Sequence, residues 1–199
     1  MIPEFQPFDF QGNFQSTHRN LPHWQQEGAT YFVTFRLADS LPAAELERWE
    51  EMRQLNPSEN FDWVERYLDA GSGNCILILI RKCAQIVEDA LRHFDGERLV
   101  LGAYAIMPNH VHVLTQPRGT TTLSSMLQSW KSFTAHKINQ TLGWSGRIWQ
   151  AESFDRIVRD ENELRKCHSY ILENPAAACL RPGTFKVGCG SARWLEIPT

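Results

Sequence analysis

The chain has 199 residues, 42% of them hydrophobic, with five cysteines and a net charge of −3 at pH 7. The length suits one well-packed domain with an insertion, and the odd cysteine count without a C-x-x-C pair argues against a disulfide framework or a cysteine-rich zinc site. The longest apolar run, CILILI at 75–80, is far too short to span a bilayer, and the N-terminus lacks a signal-peptide pattern, so we expect a cytoplasmic protein without a membrane partner.

The first half of the sequence predicts a strand, a helical insertion and then further strands and a helix. TYFVTFRL at 30–37 is rich in β-branched and aromatic residues and is predicted to be a strand. Residues 39–70 combine helical periodicity with many acidic residues, so we interpret them as an inserted helical excursion. After it, ILILI at 76–80 is a candidate strand, AQIVEDALRHF at 84–94 an amphipathic helix, and DGERLVLGAYAIM at 95–107 a turn into a strand.

The second half continues this alternation of strands and helices. HVHVLTQP at 110–117 resumes the strand, LSSMLQSWKSFTAHKINQTLG at 123–143 is a helix, and WSGRIWQAESFDRIVR at 144–159 is a turn followed by a strand or irregular segment. DENELRKCHSYILEN at 160–174 is a helix that ends at Pro175, with Asp160 as its N-cap and Glu163 as a capping-box partner. The order predicts an α+β, ferredoxin-like sandwich, an antiparallel sheet with helices packed on it.

We expect one domain over residues 1–199. Its core spans about 18–181, the helical insertion about 39–70 and a C-terminal tail 182–199. The tail has no role that its sequence assigns. The oligomeric state is expected to be a monomer or a homodimer.

Two histidines stand one residue apart in MPNHVHVL, at 107–114. Because alternate residues of a strand leave on the same face, His110 and His112 are predicted to project together, while Val111 and Val113 point to the core. Two adjacent imidazoles can bind zinc, manganese or another divalent ion, and the spacing does not choose among these metals. The alternative is a pair of structural histidines with no ligand.

The last predicted helix offers further polar groups for such a site. Tyr170 and Asn174 lie four residues apart and share a helix face, with Lys166 and Glu163 one and two turns earlier. A phenol and an amide oxygen on one face could reach the same ion and the same substrate. Core packing accounts for the other three tyrosines, whereas Tyr170 stands among charged and amide residues.

Five blocks in order resemble the REP-associated tyrosine transposases, a branch of the single-strand transposases in the HUH endonuclease superfamily. The blocks lie between about residues 18 and 181 and are YFVTFRL, MPNHVHVL, SWKSFTAHKIN, IWQAESFDRIVRDENEL and YILENPAAACL. The resemblance implies that Tyr170 is the nucleophile and that His110, His112 and Asn174 are metal ligands. The implied cofactor is a divalent metal, Mg²⁺ or Mn²⁺.

The resemblance also implies cleavage and transfer of single-stranded DNA next to hairpin, REP-like sequences. Attack by Tyr170 on a metal-polarised phosphate would give a 5′-phosphotyrosine and a free 3′-hydroxyl, and a second 3′-hydroxyl could then join strands without ATP. The phenol, with a reference pKa of about 10, would lose its proton to the metal, Lys166 or water. Two other functions stay open: a non-catalytic nucleic-acid-binding module on the same fold, and a small metal hydrolase that uses water.

Basic residues and tryptophans are concentrated toward the C-terminal half of the sequence. Residues 39–98 carry 7 Lys and Arg against 13 Asp and Glu, whereas residues 118–199 carry 11 against 7. A local basic face attracts phosphates even on an acidic protein, because charge effects are screened beyond roughly 10 Å. The predicted DNA contacts are Lys131, Arg147, Trp149, Gln150 and Arg156, whereas Trp130 is predicted to be a core residue.

Overall fold

Seven strands and four helices make up the part of the chain that this computed structural model describes, which is residues 4–18, 22–40, 73–79 and 81–195. In chain order they are β1 (Gln15–His18), β2 (Pro22–Gln25), β3 (Tyr31–Arg36), α1 (Ile76–Leu79), α2 (Arg81–Arg92), β4 (Leu99–Ile106), β5 (His110–Pro117), α3 (Leu123–Leu142), β6 (Phe154–Ile157), α4 (Glu161–Ala177) and β7 (Lys186–Cys189).

The main sheet has five antiparallel strands in the order β6-β3-β5-β4-β7. Its first four strands belong to a β3-α2-β4-β5-α3-β6 unit, the element order of a ferredoxin-like fold, so the predicted α+β sandwich is confirmed. β1 and β2 form a separate antiparallel hairpin. β5 lies at the centre of the main sheet, hydrogen-bonded to a strand on each side.

Helices cover the sheet on both faces, and alternate residues of the strands therefore separate into two hydrophobic clusters. On one face Phe35 and Val111 pack with the buried sides of α2 and α3. On the other face Phe32 and Leu114 pack with α4, where Ile171 is fully buried. Because both faces are covered, all eight residues of β5 are buried. The second face, under α4, is the one that matters for the functional site.

The prediction of a strand at 76–80 is wrong for Ile76–Leu79, which form the short helix α1. Ile76 and Leu77 are buried, and the Leu77 amide donates to the Pro108 carbonyl at 3.3 Å. A short, wholly apolar run has no periodicity that separates a buried strand from a buried helical turn. Tertiary burial, rather than local pattern, decides the conformation here.

Helix α4 continues past Pro175 and ends at Ala177, which corrects the predicted end. Proline lacks an amide hydrogen, so only the hydrogen bond to the carbonyl four residues earlier is lost, and this loss falls in the last turn. The Asn174 and Pro175 carbonyls accept hydrogen bonds from the Ala178 and Leu180 amides, each at 2.9 Å. The helix therefore closes normally after the proline.

The N-terminus of α4 agrees with the predicted cap. The Asp160 side chain accepts a hydrogen bond from the Glu163 amide at 2.8 Å, and Asp160 has extended backbone angles. The Glu163 carboxylate accepts from the amide of Arg159, at 2.7 Å, rather than from the cap residue itself. The predicted N-cap is thus confirmed, with the return hydrogen bond displaced by one residue.

The two segments outside the predicted core have different outcomes. The helical insertion expected at about 39–70 lies outside the described residues except for Asp39 and Ser40. The tail expected from 182 contains β7, which pairs with β4 and is joined to α2 by an ion pair between Lys186 and Glu88. The tail therefore adds an edge strand to the sheet. None of the helices in the described ranges has the length and apolar character needed to cross a membrane.

Candidate active site

His110 and His112 leave β5 on the face covered by α4. Strand register places Thr34 opposite His112 and Arg36 opposite His110. Both imidazoles are fully buried, and their Nε2 atoms lie 2.9 Å apart. The two side chains thus project together, as their spacing predicts.

The second nitrogen of each imidazole is held by a neighbouring side chain. The Nδ1 of His110 is 2.7 Å from the Asn109 amide oxygen, and the Nδ1 of His112 is 2.8 Å from the Thr34 hydroxyl. Because an amide oxygen only accepts, this contact favours the His110 tautomer with the proton on Nδ1 and the lone pair on Nε2. The Thr34 hydroxyl can donate or accept, so it allows His112 the same tautomer. Such outer partners orient the imidazoles of metal-binding histidines.

Burial also keeps His110 in the form that binds metals. Desolvation lowers the pKa of His110 well below its ordinary value, and the adjacent His112 lowers it further. Neutral imidazole is the ligand form of histidine, since the protonated ring has no free lone pair.

Helix α4 brings Tyr170 against this histidine pair. The Tyr170 ring is half-buried and its centroid lies 5.3 Å from that of His112, with the two planes nearly perpendicular at 76°. Phe32 contacts both rings, at 5.8 Å from His112 and 5.9 Å from Tyr170. The fold therefore brings together the two groups that the sequence resemblance assigns to the reaction.

Asn174 follows Tyr170 by one turn of α4 and is 2% exposed. Its side-chain oxygen is buried and has no hydrogen-bond partner among the described residues. An unsatisfied buried amide oxygen is costly, which makes it a natural position for a ligand or ion.

The donor set fits a divalent cation. It offers two imidazole nitrogens with outer partners on the opposite ring atom and one buried amide oxygen. In the described ranges no group of three His, Cys, Asp or Glu could hold a metal. A metal at His110 and His112 would therefore need the Asn174 amide, a substrate oxygen or water to complete its ligands.

Two of the five predicted DNA contacts are engaged inside the fold. The Lys131 ammonium donates to three backbone carbonyls, those of residues 150, 151 and 152, at 3.0–3.3 Å. The indole of Trp149 is 4% exposed, packs on Phe35 and donates to the Thr134 hydroxyl at 2.8 Å. Trp130 also lies in this core, as predicted. The Trp149 ring is therefore buried, and the Lys131 ammonium, on a half-buried residue, is bound to protein carbonyls.

The other three predicted contacts are more accessible. Arg147 is exposed, and Gln150 is half-buried next to β3. Arg156 leaves β6 opposite Phe32, on the α4 face of the sheet, and forms a 3.1 Å ion pair with Glu163. Of these three, only Arg156 is placed by strand register on the same face as the histidines.

Three residues of the site were not identified from the sequence. Asn109 and Thr34 hold the imidazoles, and Arg36 stands beside them. Burial lowers the pKa of Arg36 to about 10, so its guanidinium stays charged at neutral pH. The available signal was the alternation of Phe32, Thr34 and Arg36 along β3, which puts polar residues on a buried strand face.

Comparison with known proteins gives a family match over part of the chain and a similar fold. Residues 78–174 match the family described as transposase IS200 like, and this segment contains both histidines, Tyr170 and Asn174. The structure of a REP-associated tyrosine transposase bound to a REP hairpin is similar in fold, with a TM-score of 0.52 and 18% identity over 82% of this chain and 74% of that chain. A Deinococcus radiodurans R1 protein, provisionally described as a transposase, is 14% identical over 80% of this chain and 98% of its own, with a TM-score of 0.41. No curated protein matches the chain.

Proposed function

We propose that this protein is a transposase that cleaves and rejoins single-stranded DNA through a covalent bond to Tyr170, because residues 78–174 match the family described as transposase IS200 like. The observation that carries the proposal is the approach of Tyr170 to His112, with ring centroids 5.3 Å apart. A phenol beside two buried imidazoles, a side chain that binds divalent metals, supports attack by the tyrosine on a phosphate.

Cleavage in this mechanism exchanges one phosphate ester for another. The Tyr170 oxygen attacks phosphorus, the bond from phosphorus to the 3′ oxygen breaks, and a 5′-phosphotyrosine forms. The phenol loses its proton, and the leaving 3′ oxygen takes one up to become a hydroxyl. A 3′-hydroxyl of another strand can then attack the phosphotyrosine and restore the phenol, because no ester bond has been lost to water.

His110, His112 and Asn174 are the residues proposed to hold a divalent cation, Mg²⁺ or Mn²⁺. When bound, the cation supplies Lewis-acid polarisation of a non-bridging phosphate oxygen. Asn109 and Thr34 fix the orientation of the imidazoles, at 2.7 and 2.8 Å from their Nδ1 atoms.

The proposed substrate is a single strand that carries a hairpin. Support comes from the fold neighbour, whose structure contains a REP hairpin. Arg156, on the α4 face of the sheet, is a proposed backbone contact, with Arg147 and Gln150 as further contacts. Lys131 is proposed to act indirectly, since its ammonium organises the carbonyls of residues 150–152 beside Gln150. Trp149 supports the same segment from the core.

The test is a search for a covalent adduct. Labelled hairpin DNAs are incubated with the protein in Mg²⁺, Mn²⁺ or chelator and resolved on denaturing gels. We expect a metal-dependent protein–DNA band that Tyr170→Phe abolishes. Tyr104→Phe removes a phenol from the opposite side of the fold, at the Arg92 and Glu88 contacts, and is expected to retain the adduct.

Other results would support different functions. Tight DNA binding with no adduct in either metal would indicate a non-catalytic binding module. Metal-dependent hydrolysis with multiple turnover that survives Tyr170→Phe would indicate a hydrolase that uses water.

A further inference from the structure

Arg36 ends β3 next to the histidine pair. It stands directly opposite His110 in the β3–β5 register, and side chains in such pairs have Cβ atoms about 4.5–5.5 Å apart. Thr34 and Phe32, two and four residues earlier, leave the same face of the strand and contact His112. Arg36 is therefore the cation that strand register places closest to His110.

The Arg36 guanidinium has few acceptors among the described residues. Of its five N–H donors, one reaches an acceptor in the described ranges, the Ser40 hydroxyl oxygen at 3.4 Å. No carboxylate among the described residues forms an ion pair with it, whereas Arg92, Arg156 and Arg165 each have one. Ser40 is itself buried and donates to the Leu37 carbonyl at 2.8 Å. The hydrogen-bond partner of the Arg36 guanidinium in the described part of the chain is therefore a neutral oxygen.

A largely buried cation without a counter-charge lowers the stability of the fold. An anionic ligand that enters the site would supply the missing acceptors. A phosphate diester has two non-bridging oxygens that can accept from the planar, two-pronged donors of a guanidinium. An ammonium does not offer this paired arrangement. The burial of Arg36, its position in the strand register and the lack of a carboxylate partner among the described residues therefore all favour a phosphate ligand.

We propose that Arg36 binds a backbone phosphate of the DNA strand at the Tyr170 site and so positions that strand beside the histidines. The inference rests on the proposed function, because it takes single-stranded DNA as the ligand. It adds a binding residue from β3 to groups that come from β5 and α4.

The test asks whether one phosphate depends on Arg36. Hairpin DNAs that form the adduct are prepared with single neutral methylphosphonates at the cleaved linkage and at the two linkages on each side. Their Kd values are measured by fluorescence anisotropy in Mn²⁺, in a Tyr170→Phe background that prevents cleavage. One methylphosphonate is expected to weaken binding on the order of 10- to 100-fold with Arg36 present, and to have no effect with Arg36→Gln.

Arg118→Gln is the matched control, since Arg118 is exposed and follows the opposite end of β5. In the Tyr170→Phe background, the Arg118→Gln protein is expected to lose affinity for the same methylphosphonate DNA, and by the same factor, as the protein with Arg118 intact. If Arg36→Gln does not fold, as judged by thermal unfolding, Arg36→Lys replaces it, and the discrimination is expected to fall several-fold because the planar fork is lost.

The outcomes separate this inference from the function on which it rests. If the wild type forms the adduct but the Arg36 variants discriminate among the DNAs as the parent does, the role of Arg36 is overturned and the transposase mechanism stands. If the wild type forms no adduct with any hairpin in either metal, both fail together.

Discussion

Asn174 is the residue whose environment is least explained by folding alone. Its amide oxygen is buried without a partner among the described residues, and an apolar side chain there would avoid the cost of desolvation. A cation that is coordinated by this oxygen would account for an asparagine at this position.

We therefore expect Asn174→Leu to leave the metal-free protein as stable as the wild type, or more stable by about 1–3 kcal/mol, while reducing its stabilisation by Mn²⁺. Thermal unfolding with Mn²⁺ and with chelator measures both effects. Gln116→Leu is the control, because the Gln116 side-chain oxygen is also buried without a described partner but lies near the far end of β5. An undiminished Mn²⁺ response in Asn174→Leu would remove Asn174 from the ligand set.

For single residues, the sequence predicts which side chains lie together on one strand or helix. It predicts less well which side chains from different elements meet. The pairing of His110 with His112, and of Tyr170 with Asn174, follows from strand and helix periods. The positions of Thr34 and Arg36 beside the histidines depend on the register between β3 and β5, which no local sequence pattern contains. Their roles could be found only once the strands were paired.

At the scale of single elements, α4 matters most because it carries Tyr170 and Asn174. Its first turn is held by the Asp160 cap, which accepts the Glu163 amide at 2.8 Å. The cap also places negative charge at the positive end of the helix dipole.

We expect Asp160→Ala to lower the free energy of unfolding by about 1 kcal/mol, through loss of the cap hydrogen bond. Glu173→Ala removes the same charge from an exposed position within α4 and is expected to change stability by less than about 0.5 kcal/mol. Urea unfolding of both variants measures the difference. Equal losses would show that charge, rather than the cap, accounts for the effect.

The elements that the sequence predicts correctly are those in which apolar residues recur with a regular strand or helix period. β3, β4, β5, α2 and α3 each have an apolar pattern of their own. α1 is a single apolar turn, and β7 is four partly exposed residues that are extended because β4 offers them an edge. Both depend on contacts with distant segments, which explains why neither was predicted.

At the scale of the whole molecule, the β1–β2 hairpin is joined to the main sheet by a charged cluster. His23 of β2 contacts Asp155 of β6 through its Nδ1, and Glu152 through its Nε2 at 3.2 Å. The hydrogen bond to Asp155 is the main cause that raises the pKa of His23, against desolvation, and Glu152 raises it further.

A histidine whose pKa is higher in the folded protein stabilises the fold fully below its unfolded pKa of about 6.5 and loses that contribution as the pH rises through the folded value. We therefore expect the wild type to lose more stability than His23→Gln between pH 6 and pH 8.5 in urea unfolding. His136→Gln, at an exposed position of α3, is expected to keep the wild-type pH dependence. Parallel pH profiles for wild type and His23→Gln would contradict the stabilising role of the charged cluster.

The central position of β5 has a consequence for how the site survives local motion. β5 is hydrogen-bonded through its backbone to β3 and β4, whereas α4 is attached to the sheet by side-chain packing and by the Arg156–Glu163 ion pair. In hydrogen–deuterium exchange, the Val111 and Val113 amides should therefore exchange only through global unfolding, and those of α4 through smaller, more frequent openings. The histidines on β5 would then keep their positions while α4, with Tyr170, detaches and returns. After partial unfolding, the site would re-form by the redocking of this one helix.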